Sequence, residues 1–212
     1  MCGIIGICGK INDQDLAWLE NACNKLRHRG PDAKGKWIGP KHNIALGHQR
    51  LSIIDTSNFS DQPFVSDDGK LILVFNGEIY NYIEIREKLK DLGIKFKTNG
   101  DTEVLLAAYK YWGEDCLKYL NGMWAFAIYD ERRGSGNEKL FVARDRSGEK
   151  PFYYRTKLGF FEFASELKGL RSRGEIDLNA LNHYLALGYV PRDLCIFNDI
   201  KKLPPAHAGI FD

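Results

Sequence analysis

The sequence predicts an α+β fold in which antiparallel sheets are covered by helices. In the second half of the chain, segments rich in β-branched and aromatic residues follow one another with short connections and no helix between them. Such clustering is typical of antiparallel sheets, whereas parallel sheets alternate strands with helices. Amphipathic segments lie before and after this series, and the chain has no internal repeat.

The first part of the chain contains a strand, a helix and a long extended segment. Residues 3–9 form an apolar run with glycines, which predicts a buried strand. Asn12 and Asp13 are expected to cap a helix that ends in RHRGPD, residues 27–32. Residues 43–54, around GHQRLSII, are predicted to be extended.

The remaining elements follow from the same patterns. LILVF, residues 71–75, predicts a strand, and a helix over 83–92 is expected to stop at Gly93. GDT at 100–102 begins a further helix with an apolar face. The strand series itself is predicted at 123–130, 139–145, 151–156 and 159–165, followed by a helix over 177–187.

Composition excludes several functional classes. The chain has 212 residues, 44% of them apolar and 27% charged, and a net charge of +2, which gives no reason to expect a nucleic acid or an anionic membrane as partner. It has no apolar run of 18 residues and no signal peptide, so no membrane association is predicted. Its five cysteines form no CxxC pair, which favours the cytoplasm and argues against a metal site.

Cys2 is the first residue with potential chemistry. Methionine aminopeptidases generally remove Met1 when the next residue is small, which would leave Cys2 with a free α-amine. Such an amine titrates near ~8, so it can act as a base at neutral pH and activate the thiol of the same residue. The alternative is that Cys2 is a small buried apolar residue at the start of a strand.

Asn76 and Gly77 follow the strand at 71–75. An asparagine amide and a glycine N–H are donors of the kind that an oxyanion hole needs, and glycine allows a substrate to approach the backbone. The alternative is that the Asn-Gly pair forms a turn. Glu78, the next residue, either binds a cation or faces water.

Charged residues occur at two further positions. Arg50 lies among apolar residues and needs an anion, either a substrate carboxylate or a structural partner such as Asp55 or Glu78. The carbonyls of residues 51–54 can accept hydrogen bonds from a substrate ammonium. Asp101 either caps the helix that it begins or binds that ammonium.

Taken together, these residues predict a site for an α-amino acid with a side-chain carbonyl. Glutamine fits all of them: its α-carboxylate pairs with Arg50, its α-ammonium with Asp101, and its amide carbon lies at Cys2. Asn76 and Gly77 then hold the amide oxygen. No metal or organic cofactor is required, because the terminal amine supplies the base.

Eight segments of the chain, in order, resemble the glutaminase domain of glutamine-dependent asparagine synthetases, a class II glutamine amidotransferase. The likeness spans nearly the whole chain, and its segments are CGIIG, RHRGPDA, HQRLSIID, FNGEIYNY, GDTEV, LNGMWAFAIYD, RDRSGEKPFYY and FASELKGL. It implies the N-terminal nucleophile hydrolase fold, a four-layer αββα arrangement with two stacked antiparallel sheets.

The resemblance also implies roles for individual residues. Cys2 is the nucleophile, with Asn76 and Gly77 as oxyanion donors. The implied glutamine contacts are Arg50, Leu51, Ser52, Ile53, Ile54, Asn76, Gly77, Glu78 and Asp101. Ammonia would pass to a C-terminal synthetase domain that binds ATP and magnesium through an S-G-G-x-D-S loop, which this sequence does not contain. We therefore expect a glutaminase domain at 2–188 and a linker or the start of the synthetase domain at 189–212.

Two alternatives to an asparagine synthetase remain open at this stage. The first is an amidotransferase of the same group that delivers ammonia to another acceptor, since the acceptor is chosen outside this chain. The second is a degenerate module without catalytic activity, although the residues that such a module would lack are all present. The sequence also leaves open whether the protein forms a homodimer.

Overall fold

The computed structural model describes residues 1–134, 136–157, 159–171 and 174–212. It contains strands at β1 (Gly3–Cys8), β2 (Ala33–Ile38), β3 (Ile44–Arg50), β4 (Phe64–Val65), β5 (Leu71–Ile79), β6 (Gly122–Asp130), β7 (Lys139–Arg144), β8 (Tyr153–Lys157), β9 (Phe160–Ala164), β10 (Lys201–Lys202) and β11 (Ala208–Phe211). The longer helices are α1 (Asp13–Lys25), α2 (Tyr82–Asp91), α3 (Asp101–Trp112) and α4 (Leu178–Leu187). Among the described residues, no helix has the length and apolar character needed to cross a membrane.

The strands form two antiparallel sheets. The first has the order β10-β8-β9-β1-β3-β2 and the second the order β11-β7-β6-β5-β4. In the first sheet, β1 pairs with both β3 and β9, which makes it an interior strand. All six of its residues are buried, and this explains why it reads in the sequence as an uninterrupted apolar run.

The sheets stack face to face, and helices cover their outer faces. Side chains such as Ile4, Leu46 and Val74 fill the space between the sheets. The neighbouring residues point the other way, because side chains alternate along a strand, so Ile5 packs with Leu19 of α1. On the opposite side, the second sheet packs against α2 and α3. The resulting order of layers is helix, sheet, sheet, helix.

The start of the first helix agrees with the predicted capping signal. Asn12 accepts hydrogen bonds from the backbone N–H groups of Gln14 and Asp15 and begins α1. Asp177 caps α4 in the same way, and α4 ends at Gly188 in the left-handed conformation. The start of α3 differs from the possibility that Asp101 caps this helix. Its N-cap is Gly100, and no side chain caps it.

Two segments have a structure that the sequence patterns left open. Strand β5 continues through Asn76 and Gly77 to Ile79, so the Asn-Gly pair is not a turn. Its residues pair instead with β6 over the full length of the strand. The segment 189–212, expected to be a linker, supplies the two edge strands β10 and β11, one to each sheet. The division of the chain at residue 188 stays a prediction.

Candidate active site

Cys2 lies immediately before β1, where an interior strand fixes its backbone. Its carbonyl accepts a hydrogen bond from Nε of Arg29 at 2.8 Å, and its Sγ lies 3.4 Å from the backbone nitrogen of Leu51, which donates to it. Cys2 is half-buried, whereas the other four cysteines are buried. The thiol that the sequence singled out is therefore the one that a substrate can reach.

The environment of Cys2 keeps its thiol protonated. Burial raises the thiol pKa above its usual value, and this outweighs the opposing effects of the Leu51 N–H, the positive chain terminus and Arg50. A thiol of raised pKa is a poor nucleophile until a base takes its proton.

Asn76 and Gly77 occupy neighbouring positions on β5, opposite Ala125 and Trp124 of β6. Within the described part of the chain, both the Nδ2 and the Oδ1 atoms of Asn76 are buried and have no hydrogen-bond partner. Buried amides normally have partners, so these two atoms are either a cost to stability or are used by a ligand. A Cβ at position 77 would lie 2.2 Å from the carbonyl oxygen of Met123, so only glycine fits there.

Arg50 is the last residue of β3, and hydrogen bonds to the loop that follows hold one side of its guanidinium group. Its Nη1 donates to the carbonyl oxygen of Ser57 at 2.7 Å and to Oδ1 of Asp61 at 2.6 Å, and its Nη2 donates to the carbonyl oxygen of Asp55. The ion pair is therefore with Asp61, and neither of the structural pairs considered from the sequence, with the Asp55 carboxylate or with Glu78, is formed.

These contacts leave part of the guanidinium free. Of its five N–H groups, the three described hydrogen bonds leave Nε and one hydrogen of Nη2 without a partner among the described residues. A carboxylate can accept two parallel hydrogen bonds from such a pair of donors. The anchoring of Arg50 is thus compatible with binding a substrate carboxylate.

Asp101 is the first residue of α3, but its side chain does not cap that helix. Its Oδ2 accepts instead from the backbone nitrogen of Ile79 at 3.0 Å, which ties the start of α3 to the end of β5. Burial raises the pKa of this carboxyl to about 6, with a smaller contribution from Glu78, while the Ile79 N–H opposes the shift. A cation bound next to Asp101 would stabilise the charged form of this carboxyl group.

One pocket, with about 550 Å³ of empty space including its mouth, brings the predicted residues together. All of them line it except Ser52, whose backbone N–H donates to Asp32 at 2.8 Å. The sequence analysis missed a further group of lining residues: Met1, Asp55, Ser60, Gln62, Phe75, Gly100, Thr102 and Lys150. In the described residues, no three His, Cys, Asp or Glu side chains converge as a metal site.

Two of the missed residues are charged. Asp55 ends the motif HQRLSIID, and its position in that motif was the one available signal for it. Lys150 lies in RDRSGEKPFYY, is buried, and is held through its backbone N–H, which donates to Asp145 at 2.9 Å. Among the described residues, its ammonium group has no hydrogen-bond or ion-pair partner, so it adds an unpaired positive charge to the pocket.

His48 lies beneath the pocket and joins the two sheets. It is fully buried on β3, and its Nε2 lies 3.0 Å from the carbonyl oxygen of Phe75 on β5. Burial, helped by the nearby Arg50, lowers its pKa to about 4. His48 is therefore neutral at physiological pH and holds the strand that carries Asn76 against the strand that carries Arg50.

Comparison with known proteins adds independent evidence. The family described as "Glutamine amidotransferase domain" matches residues 1–212. The chain belongs to this glutamine amidotransferase family. Two proteins of Bacillus subtilis are similar to it: asparagine synthetase [glutamine-hydrolyzing] 1, 39% identical over 97% of the chain, and asparagine synthetase [glutamine-hydrolyzing] 3, 36% identical over the whole chain. The chain spans 32% and 35% of these relatives, respectively, and corresponds to their N-terminal part.

A solved structure supports the fold. The glutamine phosphoribosylpyrophosphate amidotransferase of Bacillus subtilis superimposes with a TM-score of 0.67 over 99% of this chain and 49% of that chain, at 21% identity. At this identity the likeness concerns the fold alone. Together with the observed layers, it confirms the four-layer αββα fold of the N-terminal nucleophile hydrolases for this amidotransferase domain.

Proposed function

We propose that this amidotransferase domain is the glutaminase part of a glutamine-dependent asparagine synthetase. It hydrolyses L-glutamine to glutamate and ammonia, and the ammonia passes to an ATP-dependent synthetase domain. Two B. subtilis relatives carry the name of this enzyme and resemble the chain over at least 97% of its length. Within this proposal, residues 2–188 form the glutaminase domain, and the segment 189–212 leads toward the synthetase domain, which uses ATP and magnesium.

Charge complementarity assigns the orientation of glutamine in the pocket. The free N–H groups of Arg50 bind the α-carboxylate, and the buried carboxylate of Asp101 binds the α-ammonium. Glu78 and the backbone around Leu51 to Ile54 complete the contacts to the ammonium. The side-chain amide then extends toward Cys2, between Sγ and the strand that carries Asn76 and Gly77.

The reaction begins after Met1 has been removed, when Cys2 carries the α-amine. The amine takes the proton of the thiol, and Sγ attacks the amide carbon of glutamine, forming a C–S bond. Asn76 Nδ2 and the Gly77 N–H stabilise the oxyanion that develops. The C–N bond then breaks as the amine returns its proton to the leaving ammonia. Water hydrolyses the thioester to glutamate and restores the thiol.

The buried, unpartnered amide of Asn76 is the observation that carries this proposal. A protein that does not use this amide would leave two polar atoms unsatisfied, which costs about 1–3 kcal/mol per group. The oxyanion of the tetrahedral intermediate supplies an acceptor for Nδ2. A module that does not bind glutamine offers no partner for it.

The test combines intact mass with activity on one sample of the purified chain. We expect the mass of Met1 to be missing, ammonia to be released from L-glutamine, and a diazoketone analogue of glutamine to stop the release by forming one adduct on Cys2. A Cys2→Ala variant should bind glutamine and release no ammonia. Ammonia release by Cys2→Ala, or a processed protein that forms no adduct, would contradict the proposed chemistry.

The acceptor is tested separately in the longer natural protein. With glutamine, aspartate, ATP and magnesium present, asparagine should form and ATP should be consumed. Glutamine-dependent amidation of a different acceptor would keep the glutaminase assignment and replace the synthetase assignment. The proposed cytoplasmic location and a homodimer are checked on the same protein by cell fractionation and light scattering.

A further inference from the structure

Two separate segments supply the charges of the pocket. The first runs from Arg50 through residues 51–61 and holds the guanidinium in place. The second is Thr98–Asp101, which leads into α3 and ends at the carboxylate that faces the pocket. An α-amino acid head group is bound at both ends only if the two segments keep a fixed spacing.

Hydrogen bonds from α2 and α3 hold the segment Thr98–Asp101 in place. Arg86 of α2 donates to the carbonyl oxygens of Thr98 at 2.9 Å and of Gly100 at 2.7 Å. Glu103 of α3 accepts from the backbone nitrogen of Thr98 at 2.7 Å. These contacts shape the segment but do not connect it to Arg50.

Asp55 makes that connection. Its Oδ2 accepts from the backbone nitrogen of Asn99 at 3.0 Å and from the hydroxyl of Ser60 at 3.0 Å, while its Oδ1 accepts from the backbone nitrogen of Ser57 at 2.9 Å. The side chain of Ser57, together with these hydrogen bonds, holds the pKa of the Asp55 carboxyl well below its usual range, so the carboxylate is charged. Its carbonyl oxygen accepts from Arg50.

The contact between Asp55 and the segment Thr98–Asp101 is close-packed as well as hydrogen-bonded. A Cβ at position 100 would lie 3.2 Å from the Cβ of Asp55 and 3.1 Å from Oγ of Ser60. Glycine at this position therefore lets the two segments approach each other. A methyl group would require these neighbours to move by a few tenths of an ångström, which shifts the contact between the two segments.

We propose that Asp55 is a positioning residue that sets the distance between Arg50 and Asp101, and so determines the affinity for the α-amino acid head group of the substrate. This inference rests on the glutamine-binding role proposed above. Asp55 does not act on the amide that reacts. Its loss should weaken glutamine binding and leave the reactivity of Cys2 unchanged.

Asp55→Asn is the main variant, because an amide keeps the size of the side chain but cannot accept all three hydrogen bonds. The KM for glutamine should rise about tenfold, as expected for the loss of one charge-assisted hydrogen bond, while kcat stays within about threefold. The second variant is Gly100→Ala, which keeps Asp55 and separates the segments. It should show the same rise in KM.

Alkylation of Cys2 by iodoacetamide is the internal control, since this reagent has no α-amino acid head group. Its rate should be equal in the wild-type protein and in both variants, and the protection that glutamine gives should weaken in parallel with KM. Asp67→Asn is the matched substitution, because this exposed carboxylate pairs with the ammonium of Lys97, next to the same segment. Asp67→Asn should change neither the alkylation rate of Cys2 nor the protection that glutamine gives.

The outcomes separate this inference from the proposed function. If the wild-type protein neither hydrolyses glutamine nor is protected by it, the proposed function fails. If the wild-type protein does both, the inference is overturned by an unchanged KM in Asp55→Asn, or by an iodoacetamide rate that falls as much as kcat/KM. In the latter case Asp55 supports the whole site and does not specifically position the head-group contacts.

Discussion

Replacing Asn76 by leucine should stabilise the protein while it abolishes turnover. Leucine has nearly the same shape as asparagine but no polar atoms, and the amide that it removes has no partner among the described residues. Relief of an unsatisfied buried polar group is worth about 1–3 kcal/mol. For a chain of this size, that corresponds to a rise in melting temperature of about 2–4 °C per kcal/mol.

The same substitution should lower the rate of glutamine hydrolysis. Loss of one oxyanion donor lowers kcat by a factor of about 10²–10³. The assay follows thermal unfolding by circular dichroism and ammonia release from glutamine on the same samples. Alkylation of Cys2 by iodoacetamide should be unaffected, because it forms no oxyanion.

Asn81→Leu is the matched control, since both amide atoms of Asn81 are used and it lies outside the pocket. Its Nδ2 donates to the carbonyl oxygen of Tyr119 at 2.9 Å, and its Oδ1 accepts from the backbone nitrogen of Asn121 at 2.9 Å. This variant should melt at a lower temperature and hydrolyse glutamine normally. If Asn76→Leu lowers the melting temperature as much as Asn81→Leu, or keeps kcat within threefold, the assignment of Asn76 is refuted.

Three further changes test the site. The KM for glutamine should rise as the pH falls below about 6, because a protonated Asp101 cannot pair with the ammonium group of glutamine. A KM that stays constant between pH 5 and 8 would contradict this. The folded-state pKa of His48, about 4, lies below its unfolded value, so the contribution of His48 to stability should fall by about 3 kcal/mol as the pH drops from about 6.5 to 4. Chemical denaturation should show this change as a difference between the wild-type protein and His48→Gln, in which the opposing contribution of Asp101 cancels. Gly77→Ala should cost about 1–3 kcal/mol of stability and abolish the protection of Cys2 by glutamine, because its methyl group collides with the carbonyl of Met123; wild-type protection would show that the strand adapts.

The residues that line the pocket were largely predictable from the sequence, because each carries its chemistry in its own side chain. Cys2, Arg50, Asn76 and Asp101 are unusual for their local context, and the structure places all four around one pocket. The pairing partners were not predictable. Arg50 forms its ion pair with Asp61 rather than with the carboxylate of Asp55 or Glu78, and this choice depends on the course of a loop without regular periodicity.

Two further features could not be predicted, since long-range contacts override local preferences. Asn-Gly has a strong tendency to form a turn, yet residues 76–77 stay extended because β6 pairs along the whole length of β5. The tail contributes strands of two and four residues, too short for a periodic pattern, whose pairing partners lie far back in the sequence. Asp55 and Lys150 have functional meaning only through what the fold places beside them.

The position of the chain terminus has a consequence for how this protein is produced. Met1 lines the same pocket as Arg50 and Asp101, immediately ahead of an interior strand that cannot shift. In the proposed mechanism, a molecule that keeps Met1 has its base blocked and part of the proposed substrate space filled by its own chain. Any residues fused ahead of Cys2 would do the same, so a purification tag belongs at the other end. In this mechanism the removal of a single residue acts as an activation step, and the processed fraction of a preparation sets the upper limit of its specific activity.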